Sequence, residues 1–481
     1  MTRRGILAFG GYVPRLRLRR ETIADALAWI NPGLKAQARG ERSTCAWDED
    51  SLTMAVEAAR DCRLDGLDAP DNIVLASTTL PFADRDNAAV VTEALDLPEH
   101  INTLDVSSSQ RAGTSALANA LNAAAGSSLV IASDCRETRP ASPLEMQTGH
   151  GAGAVLVGSG KQLLARCLGQ RAVSRDLVDH YRSRSSRFDY TLEDRWVRDE
   201  GFFKIIPETV SALLAELGVK PDSIDHIILP APARVAKRLC KILGLNDSGL
   251  ADDLAAQCGH TGAAHPLLLI AAILEQAAPG AKILLVGFGQ GADAILFETT
   301  KQIASYQPRL GVSGYLQRRH EESNYVRYLS HRGLVSVDRG NRAEFDNRAA
   351  LTTFYRKRDM VTGFKGGRCE TCGTVQFPRA AMCVNPECRA ANTQSPISLS
   401  GMSGTVKSFT EDWLAATPNP PLHYGNVELE GGANIMMEIA DCEPGTLKVG
   451  TVVEMRFRIK TVDERRDFTR YFWKPSPVEE Q

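Results

Sequence analysis

GHGAGAVLV (residues 149–157) and GQGADAILF (289–297) are one pattern written twice, with glycines in step at the first and third positions and apolar strand residues at the end. Working outward, each copy is preceded by a Gly-bearing turn that opens an Ala/Leu-rich helical run: SQRAGTSALANALNAAAG (109–126) and CGHTGAAHPLLLIAAILEQAAPG (258–280). Between run and motif lies a continuous apolar stretch, SLVIASD (128–134) in the first copy and KILLVGFG (282–289) in the second. The order helix, strand, glycine motif, strand therefore occurs twice, which marks an internal duplication. Further β-rich runs, NIVLAST (72–78) and HIILPA (226–231), alternate with helical ones, SLTMAVEAARDC (51–62) and PETVSALLAELG (207–218). Short buried strands alternating with helices give an α/β class for everything up to about residue 305.

The totals narrow the function. A chain of 481 residues exceeds one compact core, so several domains are expected. Its 56 basic and 58 acidic side chains nearly cancel, leaving no electrostatic footprint for nucleic acid or for a membrane surface. The longest greasy run, PLLLIAAILEQAA, is too short to span a bilayer, and the beginning MTRRGILAFGGYVP has no apolar leader core. Eleven cysteines in so long a chain do not read as a disulfide framework. A cytoplasmic location is the expectation.

Four of those cysteines have metal-ligand spacing. In CETCGTVQFPRAAMCVNPEC (369–388), Cys369 and Cys372 form one pair, Cys383 and Cys388 another, with ten residues between the pairs. Thiolates on two tight turns suit tetrahedral zinc, and a site closed by four sulfurs leaves no position for substrate, so the expected zinc is structural. Beyond it, SGTVKSFTED, NIMMEIAD and TVVEMRFRI alternate apolar and polar residues between Gly and Pro, as in a small closed barrel. Ahead of it, YLQRRHEESNYVRYLSHRGL (315–334) is charged and reads as helical. The expected division is 1–160 and 161–305 for the two α/β halves, 306–366 for a helical linker, 367–395 for the ribbon and 396–481 for the barrel. Ribbon and barrel in this order resemble the rubredoxin-like ribbon plus OB-fold family that accompanies thiolase-type enzymes.

Residues 4–300 resemble the hydroxymethylglutaryl-CoA synthase type of the thiolase superfamily. GILAFGGYVPRLRLRRETI, DEDSLTMAVEAARD, ASTTLPFADRDNAAVVTEALDLP and GHGAGAVLVG carry the likeness. The resemblance implies layered sheets around buried helices, an acyl-CoA thioester substrate with coenzyme A as part of it, a homodimer and, for the C-terminal modules, a thiolase-type partner. It also implies a nucleophilic cysteine at the N-terminus of the first buried helix, where the helix dipole favours the thiolate. Gln110 stands there instead. Where relatives place a catalytic histidine, this chain has Pro230, Ala231 and Pro232; where they carry an acidic base, it has Thr78 or Thr79; and His260 takes the place of an asparagine.

Substitutes are therefore weighed. Ser109 is a nucleophile if a base such as His260 adjoins it, or else a cap for free helix N–H groups. Cys258 is a replacement nucleophile or inert packing, and Cys135 is a weaker alternative. Gln110 either fills vacated space or donates its amide hydrogens to a thioester oxygen, steadying an enolate. Arg85 and Arg111 pair with a substrate carboxylate or a CoA phosphate, or with Asp84, Asp86 and Asp105 nearby. Asp48 and Asp50 read first as helix-capping residues and His150 as structural. The favoured activity is cleavage or formation of a carbon–carbon bond beside a thioester, of retro-aldol, retro-Claisen or decarboxylation type, without covalent capture, with His260 as the proton-handling group and Gln110 and nearby N–H groups as oxyanion donors. An acyltransferase with a substitute nucleophile and a non-catalytic acyl-CoA-binding scaffold are the alternatives.

Overall fold

A computed structural model describes residues 4–64, 66–191, 193–338 and 350–478, in two compact units. The first runs up to Ala46 and includes Asp50–Ala89 and His100–Tyr328; the second holds Trp47–Glu49, Val90–Glu99 and the chain from Leu329 onward. Residues 339–349 of the expected linker lie outside the described residues.

The first unit is built on a nine-stranded order in which the duplication is visible. One half runs Asn102–Val106, Asn72–Ala76, Ser128–Asp134, Gly151–Ser159, Arg4–Tyr12; the other runs Ala165–Ser174, Gly291–Thr299, Lys282–Phe288, His226–Ile228. In each, the apolar strand pairs antiparallel with its glycine-motif strand (Ala132 with Gly153, Val286 with Ala294). A parallel neighbour lies on its other side (Ile73 with Leu129, Ile227 with Leu284). Within the nine-stranded sheet the halves join through the pairing of Gly5 and Ile6 with Arg166 and Ala165.

The two Ala/Leu-rich runs become the helices Ala112–Asn122 and His265–Leu274, the second buried along almost its whole length. Each lies on a strand of the opposite half, and glycine permits the approach. A Cβ on Gly287 would sit 2.0 Å from Thr114 Oγ1, and one on Gly153 would sit 2.6 Å from the Leu267 carbonyl carbon. Small residues at these crossings let backbone meet backbone, so both helices are held between strands of both halves. Their N-terminal ends come together, where the Asp134 carboxylate at the end of a first-half strand accepts the N–H of Ala263 at 2.7 Å.

The helical expectation for 315–334 holds only in part. Gly311–Gln317 and Tyr325–His331 are helical, but His320–Glu322 between them is a strand, parallel to Leu16–Leu18. An available sheet edge overrides the local charge pattern.

In the second unit the ribbon is a three-stranded sheet of Lys365–Cys369, Val375–Gln376 and Gln394–Ser398. The five-stranded barrel runs Asn434–Glu438, Leu422–Leu429, Ser403–Asp412, Val452–Asp463, Phe468–Pro477, and a bond from Ala440 N–H to Pro475 O (2.8 Å) narrows its open side. Trp473, Phe457 and Phe364 are wholly buried in this unit, and the Trp473 indole N–H is satisfied by Thr362 O at 2.8 Å. Among the described residues no helix is long and apolar enough to cross a membrane.

Candidate active site

The first buried helix is entered through Ser109, Gln110 and Arg111. The Ser109 hydroxyl donates to Gly289 O (3.2 Å) and accepts the Arg111 N–H (3.3 Å), so it ties the helix entry to the second glycine loop. The bond to Arg111 N–H closes a side-chain turn just ahead of the helix, whose N-cap, Arg111, has no side-chain cap of its own. The Arg111 guanidinium bonds Asp293 Oδ1 at 3.1 Å and Val173 O at 3.2 Å. Asp293 also accepts the hydroxyls of Thr114 (2.9 Å) and Ser115 (2.8 Å), which fixes the first turn of the helix to the second half.

Gln110 is the centre of a polar cluster. Only with its side-chain oxygen turned toward Arg136 do donors face an acceptor; in that orientation it accepts from Arg136 Nη1 at 2.6 Å and Nη2 at 3.2 Å, with His180 Nε2 at 3.3 Å. The amide NH₂ is then free of these two partners. Arg136, buried just past the strand end, is backed by Asp189, whose Oδ2 accepts its Nε–H at 2.8 Å. His180 in turn bonds Asp179 Oδ2 through Nδ1 at 2.9 Å. Asp179, His180 and Asp189 belong to a hairpin whose strands His180–Tyr181 and Tyr190–Thr191 pair antiparallel. Arg182 of the same hairpin donates to Thr78 O.

His260 enters from the second half, on the turn before the second buried helix. Its Nδ1 accepts the Gly262 N–H (3.2 Å) and its ring stacks on His265 with centroids 4.3 Å apart. Burial drives its pKa well below the ordinary imidazole value, and its electrostatic interactions with the neighbouring His265, Arg136 and His180 lower it further. The ring is therefore neutral at pH 7, and with Nδ1 occupied as an acceptor its proton resides on Nε2.

Thr78 and Thr79, which replace an acid in the sequence comparison, are joined to one in space. Asp134 accepts from Thr78 N (2.7 Å), Thr78 Oγ1 (3.0 Å), Thr79 Oγ1 (3.1 Å) and Ser77 Oγ (3.0 Å), besides Ala263 N. Asp134 thereby ties the Ser77–Thr79 segment to the turn that opens the second buried helix.

Cys258 and Cys135 each have partners of their own. Cys258 is fully buried, donates its thiol to Gly259 O (3.4 Å), and is pushed by burial up to about 12, so it holds its proton. Cys135 turns toward His150 and Cys45: its Sγ lies 3.7 Å from His150 Nδ1, which also accepts the Cys45 N–H at 2.9 Å, while His150 Nε2 donates to Arg136 O at 3.1 Å. Arg85 stacks on Phe82, 4.5 Å from ring centroid, and Asp105 caps Asn87 and Ala88. Asp50 is the helix cap that its position suggests, accepting from Leu52 N and Thr53 N. Asp48 bonds Lys474 Nζ at 2.9 Å in the second unit.

Sequence reasoning missed Arg136, Asp179, His180 and Asp189. Arg136 lay next to the singled-out Cys135, in a strand-end position whose alternation sends consecutive side chains to opposite sides. The hairpin residues sit in an Arg/Ser-rich stretch with no periodic signal.

In the ribbon, Cys369 and Cys388 Sγ are 3.8 Å apart and Cys372 and Cys383 Sγ 3.6 Å, and all four sulfurs lie within 4.8 Å of one another. Zinc–sulfur bonds of about 2.3 Å at tetrahedral angles require sulfur separations of about 3.8 Å. The donor set thus fits a zinc ion, which would cross-link the two turns. Thr393 and Thr374 hydroxyls adjoin Cys369 (3.3 Å) and Cys372 (3.2 Å).

Comparison with known proteins agrees with this anatomy. Residues 214–297 match the family described as 3-oxoacyl-[acyl-carrier-protein] synthase III C terminal, residues 363–394 the ChsH2 rubredoxin-like zinc ribbon domain, and residues 397–458 the ChsH2 C-terminal OB-fold domain. The chain is 30% identical to a hydroxymethylglutaryl-CoA synthase of Caldivirga maquilingensis, over 70% of this chain and 99% of that one. It is also 30% identical to the enzyme of that name from Methanosarcina mazei, over 69% and 99%. Among solved structures, PksG, a hydroxymethylglutaryl-CoA synthase from Bacillus subtilis, shares the fold with TM-score 0.60 at 18% identity, covering 72% of this chain and 92% of that one. A MvaS structure in complex with 3-hydroxy-3-methylglutaryl coenzyme A gives TM-score 0.57 at 20% identity, over 72% and 94%. With its duplicated body, its buried helices and relatives of this identity over nearly their full length, the chain belongs to the hydroxymethylglutaryl-CoA synthase family of the thiolase superfamily, extended by a zinc ribbon and an OB-fold domain.

Proposed function

We propose that this protein acts on an acyl-CoA thioester, breaking or making the carbon–carbon bond beside the thioester carbonyl without a cysteine acyl-enzyme. The observation that carries the reading is Gln110, held by Arg136 at the entry of the buried helix, where the family resemblance calls for a thiol. Covalent capture needs a thiolate or an activated hydroxyl. Ser109 is engaged with Gly289 and Arg111, and Cys258 keeps its proton, which supports non-covalent chemistry.

A thioester is itself an electron sink, so a retro-aldol step asks the protein for donors to the developing enolate oxygen and for one group to move a proton. The Gln110 amide NH₂, left over once its oxygen is bound, and the Nε2–H of neutral His260 are donors of the required kind. Each such donor is worth about 10²–10³ in rate. The zinc-binding ribbon takes no part in the chemistry, and the barrel assists in binding or passing the CoA thioester.

Incubation of purified protein with a panel of β-hydroxy- and β-ketoacyl-CoAs, with products and intact protein followed by mass, tests this. The expected result is a shortened acyl-CoA plus a carbonyl fragment, with unmodified protein. An acyl adduct on Ser109 or Cys258 overturns the non-covalent route, and complete inertness favours a binding scaffold instead.

A further inference from the structure

We propose that Asp179 and His180, delivered by the hairpin of residues 179–191, form the catalytic proton-transfer pair of this site, acting on the β-hydroxyl of a β-hydroxyacyl-CoA. The inference rests on the carbon–carbon chemistry proposed above and assigns its missing acid–base group.

Three observations on the hairpin converge. First, the imidazole is anchored: Nδ1 is bonded to Asp179 Oδ2 at 2.9 Å, and the ring lies against the Gln110 amide, one polar atom of which is 3.3 Å from Nε2 and 3.4 Å from Nδ1. Among the described residues these are the hydrogen-bond neighbours of the ring. Second, Asp179 Oδ1 is buried and has no hydrogen-bond partner among the described residues, and both side chains are nearly covered, 11% and 12% exposed. A carboxylate whose other oxygen finds no donor is compensated through the imidazole alone, the arrangement that stabilises positive charge as it arrives on the ring. Third, the hairpin is pinned at two points after His180. Asp189 is bonded to Arg136 and Arg182 to Thr78 O, the same Arg136 that orients Gln110. Anchored ring, buried carboxylate and fixed hairpin place one titratable nitrogen beside the residue that stands at the family's reaction centre.

In the cleavage direction the β-hydroxyl proton passes to Nε2 and the oxygen lone pair forms the carbonyl. The Cα–Cβ bond breaks, its electron pair enters the thioester enolate, and Cα is reprotonated from the imidazolium. The products are a carbonyl compound and a shortened acyl-CoA. In the reverse direction Nε2–H protonates the carbonyl oxygen as the bond forms. No oxidant or co-reactant is required.

The test uses full-length protein and β-hydroxyacyl-CoAs, comparing wild type, His180→Gln, His180→Ala and Asp179→Asn. Removal of one acid–base group is expected to lower kcat by about 10²–10⁴-fold while KM changes little, and added imidazole is expected to restore part of the His180→Ala rate. Calorimetric binding of CoA and an unchanged melting temperature verify that each variant is folded; if His180→Gln is unstable, the imidazole rescue of His180→Ala decides. Wild-type cleavage that persists in His180→Gln, or a His180→Ala rate that imidazole leaves unmoved, overturns the role of His180 alone. A wild type inert to every substrate overturns the underlying reading and this inference with it.

Discussion

At the scale of single residues, burial determines which groups stay neutral. The Cys258 thiol, raised to about 12 by its buried surroundings, is thiolate at only about one part in 10⁴ at pH 8. Iodoacetamide is therefore expected to leave Cys258 unlabelled in native protein and to label it after denaturation, as read by peptide mass mapping. The same shift couples to stability. The unfolded thiol ionises from about pH 9 while the folded one stays protonated, so stability is intact below pH 9 and falls by about 1.4 kcal/mol per pH unit between there and 12. His265 works in the opposite window. Burial lowers it from 6.5 to about 4, so the folded protein resists protonation that the unfolded chain accepts. Its contribution is complete above pH 6.5 and is lost as pH falls toward 4, about 3 kcal/mol in all. Melting temperatures over this range are expected to fall less steeply in His265→Gln than in wild type; equal slopes would remove His265 as the cause.

At the scale of elements, the fold depends on two helices lying against strands where only glycine fits. A methyl group at position 153 meets backbone atoms of Leu267 and Leu268 at 2.6 Å, and backbone cannot step aside as a side chain can. Gly153→Ala is expected to cost about 1–3 kcal/mol, the usual range for overpacking, measured as a lower denaturant midpoint with unchanged slope. The doubled motif made both halves of this sheet legible in sequence, because a strand buried on both faces writes an unbroken apolar run and a tight crossing writes glycine. The strands Ala165–Ser174 and Leu422–Leu429 carry weaker signals: the first is mostly half-exposed and polar, and the second alternates buried and half-buried residues around His423 and Asn426. The site was half legible. Gln110 and His260 stood out because a family pattern marks their positions. Asp179, His180 and Asp189 did not, because a two-strand hairpin has no period long enough to read and its residues meet Gln110 and Arg136 only in three dimensions.

At the scale of the whole molecule, the ribbon differs from everything around it in what holds it together. The α/β body buries long apolar runs, and the barrel has Trp473 and Phe457 at its centre. The ribbon between residues 365 and 398 has three short strands, and Met382 and Val384 beside its ligands are 52% and 64% exposed. So small a sheet lacks the apolar area to offset its own ordering entropy. Four sulfurs at tetrahedral spacing supply the alternative, since metal binding at such sites is folding free energy, about 10–16 kcal/mol in isolated fingers. Purified protein is accordingly expected to carry one zinc per chain and Cys372→Ser to lose it, as read by elemental analysis. Treatment with a strong chelator should abolish hydrogen-exchange protection of the amides in Lys365–Cys369 and Gln394–Ser398, while Ser128–Asp134 in the buried sheet retains its own. Protection that survives chelation in the ribbon would mean that its backbone pairing suffices without metal, and the cysteines would then need another explanation.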